Sequence, residues 1–454
     1  MKRKLLFLTV LMAAMPLLHA QEAMTLRQCI DYALENNQTL AKSVLDQKIA
    51  AQSKKEIIGA LMPQLSASGA MTYNFDKNTV VMPNFMNSML PEAMRDPNAA
   101  KYMTIPMGLN NVSNLGASLV QQVINFSIFN TVNITEAASE MADIGIEIST
   151  DDVIAQTATF YYNAQVLEYG LEQFDRSIAL MDRTIEIMSA SCSTGVIRQV
   201  DLDRIKVART NLSSQKTGFA QAAEAQKNLL KLNMGYDMDT EINLPPLDVD
   251  AIESLTTSCT PSLFHPESLP ALRLMDQRLK MGKLQIKGAK SELIPTLTLV
   301  GNYNYYWMAD DFYTGPTFHK YPMSMVSLNL KVPIFSGFSK NAKIKKAKLE
   351  YDKTARDRDQ LDQSLRMAHS NTVMQLDSNR ETLEAQKDNM KLAEDVYAIT
   401  EGNFRLGLSS LSDVLNSSSE LIKAQISYVE ALHKYLQSYM DLKKSEGTIR
   451  EIIR

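Results

Sequence analysis

The chain has 454 residues, 45% of them hydrophobic and 22% charged, with a formal net charge of −4. A basic leader holds three of the 47 lysines and arginines and none of the 51 acids, so the remainder carries −7, a balance that argues against a nucleic-acid partner. After that leader nothing reaches roughly eighteen consecutive apolar residues, so no transmembrane helix is expected; a periplasmic or secreted protein, or one embedded through strands, remains.

The leader itself, residues 1–20, reads as a secretory signal peptide. Lys2, Arg3 and Lys4 precede an almost unbroken apolar run that ends at Ala20. Residue 21 is Gln rather than Cys, so no lipid anchor is expected at that cleavage point. Three cysteines follow, Cys29, Cys192 and Cys259, with no two at metal-ligand spacing. Free, partly buried thiols are expected, and a Cys29–Cys259 disulfide stays open in an oxidising compartment.

From Pro63 to Phe75 apolar and polar residues alternate, the mark of a strand with one oily and one wet face. A loop over 76–112 contains Met82, Met86, Met89, Met94, Met103 and Met107. Thioether clusters can hold Cu(I), but the spacings are irregular, and a mobile outward-facing loop with no metal is the expected reading. A second strand follows at roughly 115–125, ending in Phe126-Ser127-Ile128-Phe129.

Proline is then absent from Pro106 to Pro245, and again after Pro333. Two stretches of more than about a hundred residues thus lack the strongest helix breaker. Inside them apolar residues recur at alternating spacings of four and three. Val153, Phe160, Ala164, Phe174, Met181 and Met188 belong to one seam, Leu376, Leu383 and Tyr397 to a more polar second, and Val414, Leu421, Tyr428, Leu432 and Tyr435 to a third. This is coiled-coil periodicity. It predicts helices at roughly 131–192, 196–233, 338–405 and 409–446. The longer two span roughly 90–100 Å at ~1.5 Å per residue, which suits a structure that crosses a wide gap.

Between the helical blocks lies a proline-rich linker, 244–270. A second strand pair follows, roughly 295–307 and 325–333. In the latter, Val326, Leu328, Leu330 and Val332 face one way while Ser327, Asn329 and Lys331 face the other. Tyr303, Tyr305, Tyr306, Trp307, Phe312 and Tyr313 cluster at one end and read as an interfacial girdle. Phe335-Ser336-Gly337-Phe338 echoes residues 126–129. The order helix, strand, strand, long helix, turn, helix therefore occurs twice. It divides the chain into a first repeat (21–247), a linker (248–270) and a second repeat (271–454).

Four amphipathic strands are too few to close a barrel, and an open edge in lipid leaves backbone groups unpaired at several kcal/mol each. Strands must be pooled among copies: two chains give eight, three give twelve, and both stay open on these grounds.

The duplicated order, the Pro-x-Leu strand starts at Pro295 and (as Pro-Gln-Leu) Pro63, the Phe335 to Phe338 lead, and the turn Gly407-Leu408-Ser409-Ser410-Leu411-Ser412-Asp413-Val414-Leu415 resemble the TolC-like outer-membrane efflux protein family over essentially the whole chain after the leader. The resemblance implies a mainly α fold with a small β part. Each protomer supplies long coiled-coil helices and four strands, and a homotrimer forms a twelve-stranded transmembrane β-barrel above a periplasmic α-barrel tunnel. It implies an exit duct for efflux or type I secretion, passive in itself, with a periplasmic adaptor protein and an inner-membrane pump of RND or ABC type as partners. Val326, Leu328 and Leu330 then face outer-membrane lipid.

The two helical turns, around Gly195 and Val196 and around Gly407, Leu408 and Ser409, then form the periplasmic tip and its adaptor contacts. Ser410 and Asp413 have capping-box spacing, with Asp in place of the usual Glu. Three copies of Asp413 would ring the entrance and favour cations, with Asn416 and Asp201 in the same constriction. The family's second acid one turn on is Asn416 here, and the basic residue that some members carry after the turn is Ser409. A less acidic entrance is expected. Arg204 reads as a local ion-pair partner of Asp201. No phosphate loop, nucleophile elbow or zinc signature is present and the histidines are scattered, so neither enzyme activity nor a cofactor is expected. The competing reading from another class is a soluble periplasmic or secreted helical-hairpin scaffold.

Overall fold

In a computed structural model, residues 23–193, 197–258, 264–311 and 316–453 are described. The leader, Gly195, Val196, Cys259, Phe312 and Tyr313 lie outside them. The elements run α1 (Leu26–Asn36), α2 (Gln38–Gly59), β1 (Gln64–Tyr73), β2 (Asn78–Pro83), a short α3 (Phe85–Met89), β3 (Tyr102–Met107), β4 (Asn111–Ile124), α4 (Phe126–Ser193) and α5 (Gln199–Met234). Then come α6 (Val249–Ser258), α7 (Pro270–Ser291), β5 (Thr296–Ala309), β6 (His319–Lys331), α8 (Ser339–Arg405) and α9 (Leu411–Glu446). The fold is mainly α with a small β part, and the four long helices lie within a few residues of their predicted limits.

The chain divides into two compact units, and each takes segments from both halves of the sequence. The first comprises residues up to 48, 140–278 and 355–454. Its cores combine members of the predicted seams with residues outside them. Leu376 and Leu383 of α8 and Tyr428, Leu432, Tyr435 and Leu436 of α9 form one cluster with Val166 of α4. Cys29 and Ala33 of α1 join Val153, Tyr161 and Ala164 of α4 and Leu230 and Met234 of α5 in another. A buried Leu or Tyr of this kind contributes roughly 2 kcal/mol of transfer free energy.

Two polar seam members, Gln425 and Thr157, have hydrogen-bond partners on a neighbouring helix, which offsets the cost of burying them. Ser177 Oγ donates to Gln425 Oε1 at 2.9 Å, and Asn233 Nδ2 donates to Thr157 Oγ1 at 2.8 Å. Gly170 lets helices approach: a Cβ there would lie 2.9 Å from the Phe219 ring and 3.4 Å from Val429. Cys29 is a free, fully buried thiol, and burial pushes its pKa up to about 12, so it is inert. Cys192 is also free.

The second unit comprises 49–139 and 279–354. Its sheet is antiparallel in the order β1-β4-β5-β6. Here the expected boundaries need correction. β6 begins at His319, not near 325, because Pro322 lies within it; proline is tolerated on an edge strand, where a ladder donor can be spared. The segment 76–112 is not a bare loop: β2 and β3 pair as a separate hairpin, with Met82 opposite Met103. The two aromatic echoes also differ. Phe126 opens α4 directly, whereas Gly337 (φ 58°) and Phe338 (φ 61°) both sit in the left-handed region ahead of α8.

Candidate functional site: an uncovered oily sheet and a capped helical tip

The sheet register sorts side chains into a mainly oily and a mainly polar face. Leu65, Leu119, Gly301 and Val326 form one cross-strand row, and Ala67, Ala117, Tyr303 and Ser324 the next. Leu299 stands opposite Leu328, and Leu297 opposite Leu330. Because faces alternate along each strand, this face also gathers Leu115, Tyr305 and Trp307. The opposite face carries Ser66, Ser68, Asn114, Ser118, Asn302, Asn304, Ser327, Asn329 and Lys331. Gly116 belongs to the polar face and makes room there, since a Cβ on it would fall 1.8 Å from Asn304 Oδ1.

The oily face is uncovered. Val326 is 79% exposed, Leu328 62%, Leu330 65% and Leu65 76%. All ten residues of β1 are exposed. Such a continuous apolar surface is not tolerated in water by a monomeric protein. Among the described residues, β1 and β6 each pair with one strand only, so both outer edges are open. The register splits the expected aromatic girdle. Tyr305 and Trp307 lie on the oily face with rings 4.9 Å apart, whereas Tyr306 turns to the polar face and stacks on Tyr321.

The tip belongs to the helical unit. α8 ends in a Schellman turn: the Leu408 N–H donates to the Asn403 carbonyl at 2.8 Å and the Gly407 N–H to the Phe404 carbonyl at 3.0 Å. Gly407 supplies the left-handed residue this requires, at φ 73°. Leu406 and Leu408 each stand 75% exposed, while Ser409 is half-buried.

Ser410 then caps α9. The Asp413 N–H donates to Ser410 Oγ at 3.3 Å, and Asp413 Oδ2 accepts from the Ser410 N–H at 2.9 Å and from its hydroxyl at 2.7 Å. Those two donors hold the Asp413 carboxyl below the usual carboxylate range, the hydroxyl contributing most. Asp413 and Asn416 are both exposed, one turn apart on α9.

Asp201 occupies the same third helical position at the start of α5, with a different partner set. Arg198 Nε lies 3.0 Å from Asp201 Oδ2, and Arg204 Nη1 lies 3.7 Å from Oδ1. The Arg204 pairing follows the i,i+3 spacing; Arg198 is the closer partner and was not anticipated, because arginine is not a recognised cap. The two turns share one core. Phe404, Leu411 and Leu415 pack with Met188, Leu202 and Ile205. The structure thus brings Asp201 and Asp413 to one end of the helical unit, each exposed helix start carrying an acid.

A model of the family described as outer membrane efflux protein matches residues 267–448. The chain is 21% identical over 448 residues to outer membrane protein TolC of Escherichia coli strain K12, covering 95% of this chain and 83% of that protein. It is 20% identical to proteases secretion protein PrtF of Dickeya chrysanthemi, covering 99% of this chain and 94% of the relative. The chain thus resembles the outer membrane efflux protein family, whose model its residues 267–448 match. Among solved structures, outer membrane protein VceC of Vibrio cholerae superposes with a TM-score of 0.69 at 15% identity, covering 93% of this chain and 96% of that one. The chain therefore has the fold of a TolC-like channel, and its relatives place it in the outer membrane. The relatives are channel, efflux and secretion proteins, in keeping with a role outside catalysis.

Proposed function

We propose that the protein is the passive exit duct of a tripartite efflux or type I secretion assembly, working as a homotrimer. One observation carries this reading: a four-stranded sheet with an uncovered oily face and two open edges. In lipid those edges must find partners. Pairing β6 of one copy with β1 of the next closes a twelve-stranded barrel, with Val326, Leu328 and Leu330 against lipid and the serine and asparagine face lining a bore. The two sequence repeats (21–247 and 271–454, joined by 248–270) then each supply two of these strands.

At the periplasmic end three copies of Asp413 ring the entrance, with Asn416 and Asp201 beside them. The exposed Gly407 and Leu408, with Ser409, offer the surface for a periplasmic adaptor. The driving energy comes from an inner-membrane pump of RND or ABC type behind that adaptor.

The test is oligomeric state and conductance of the same preparation. Protein extracted from outer membranes should run as a heat-labile trimer in detergent and open discrete conducting steps in planar bilayers. A folded, monodisperse single subunit in detergent-free buffer would overturn the duct and leave a helical scaffold.

A further inference from the structure

The helices that adjoin the sheet carry a charge found nowhere in their counterparts. Residues 279–294 and 332–354, which flank β5 and β6, hold ten lysines against Glu292, Glu350 and Asp352. Residues 49–63 and 125–139, which flank β1 and β4, hold Lys54 and Lys55 against Glu56 and Glu136. The excess is thus +7 in one repeat and zero in the other, within a chain that is otherwise acidic.

Pairing engages only some of these lysines. On α7, Lys283, Lys287 and Lys290 recur at spacings of four and three, so they share one face, and all are exposed. α7 packs closely at Gly282, where a Cβ would lie 3.2 Å from Tyr351, and at Gly288, where one would lie 2.8 Å from Asn130; Lys283 itself lies over the Tyr351 ring, 5.9 Å from its centroid. On α8, Lys340 and Lys343 both turn to Glu292, and Lys346 reaches Glu350 at 3.8 Å while remaining 77% exposed. Lys345 and Lys348 are exposed as well. Immediately before these lysines stands an apolar wedge. Ile334 is 95% exposed, Phe335 76% and Phe338 72%, and the two rings meet edge to face at 5.6 Å. The left-handed φ of Phe338, a cost for a bulky residue, holds that pair in place.

We infer that this basic collar binds the phosphate headgroups of anionic phospholipid in the leaflet on the helical side of the sheet. Phe335 and Phe338 enter the interfacial zone, where aromatic rings are favoured. The lysines of α7 and α8 meet the phosphates just beyond it, each strengthening the attraction about fivefold. The surface is continuous with the oily sheet face in the same unit, so the inference rests on the reading that this sheet sits in lipid. A leaflet is favoured over an acidic protein because the lysines adjoin an exposed apolar wedge, a combination that an aqueous docking surface does not require.

The test uses full-length protein reconstituted into phosphatidylcholine vesicles with or without phosphatidylglycerol, followed by delipidation and a count of retained lipid. Wild type should retain phosphatidylglycerol in preference and lose that preference at high salt. Lys287→Gln/Lys290→Gln/Lys345→Gln/Lys348→Gln should lower it at least about tenfold, whereas Lys54→Gln/Lys55→Gln should not. Wild type that inserts into both vesicle types without lipid preference overturns the collar and leaves the channel standing; protein that inserts into neither overturns both. Equal displacement by inorganic phosphate, or a quadruple variant that keeps its lipid preference while losing an acidic protein partner, also counts against it.

Discussion

Asp413 has two duties that substitution can separate. As part of the capping box it receives two hydrogen bonds from Ser410; in the proposed trimer it also lines the entrance. Ser410→Ala removes the cap oxygen but keeps the charge. It should cost about 1 kcal/mol at the start of α9, visible as faster amide exchange there, with cation block unchanged. Asp413→Ala removes both, so cation block or selectivity in planar bilayers should change as well. Unaltered conductance in Asp413→Ala would reduce the residue to a cap. The pH dependence has a definite sign. A carboxyl whose pKa is depressed in the folded protein stabilises fully above its unfolded value, and that stabilisation disappears as pH falls through the depressed value. Protection at the start of α9 should therefore persist on mild acidification and fail only below the usual carboxylate range. The Ser410–Asp413 box was legible because its spacing is a local signature. The Arg198–Asp201 contact was not, because an exposed arginine has many local choices that only the folded turn resolves.

At the scale of elements the strands are the sharper lesson. Alternation identifies β1, β5 and the oily half of β6 from the order of residues alone. It failed at Pro322, where proline reads as punctuation, and across Met82 to Met103, where a short hairpin of two edge strands tolerates Pro83 and Pro106. Period two also assigns every residue of a strand to one of two faces, so its energetic consequence is testable position by position. Leu328→Lys places a charge on the oily face and should cost about 2–4 kcal/mol if that face meets the bilayer interior. Asn329→Lys, one residue on, should be tolerated because it joins the face that already bears Lys331. Heat stability of the detergent-extracted oligomer measures the difference. Equal tolerance at the two positions would mean that the oily face is covered by something other than lipid.

For the whole molecule, the duplication visible in the sequence is not a division of the fold. Each compact unit draws on both repeats, and the shared cores show why. Ile30 of α1 and Ile154 and Ala158 of α4 pack with Met440 of α9 and Ile449, and Val166 of α4 packs with Tyr428 and Leu432 of α9. Of these residues heptad spacing marks only Tyr428 and Leu432, since a period of 3.5 fixes roughly which face is apolar and leaves open which helix meets it. The two halves of the chain complete each other's cores. A chain restricted to residues 271–454 keeps α7 apart from Pro270 and every local signal for β5, β6, α8 and α9, yet loses the α4 side of the α9 seam. It should show helical circular dichroism without a cooperative thermal transition, and no heat-labile oligomer, until residues 21–247 are supplied in trans. A sharp, reversible melt of 271–454 alone would show that the second repeat holds its own core, and that the contacts of Val166, Ile154 and Ala158 with α9 follow folding rather than drive it.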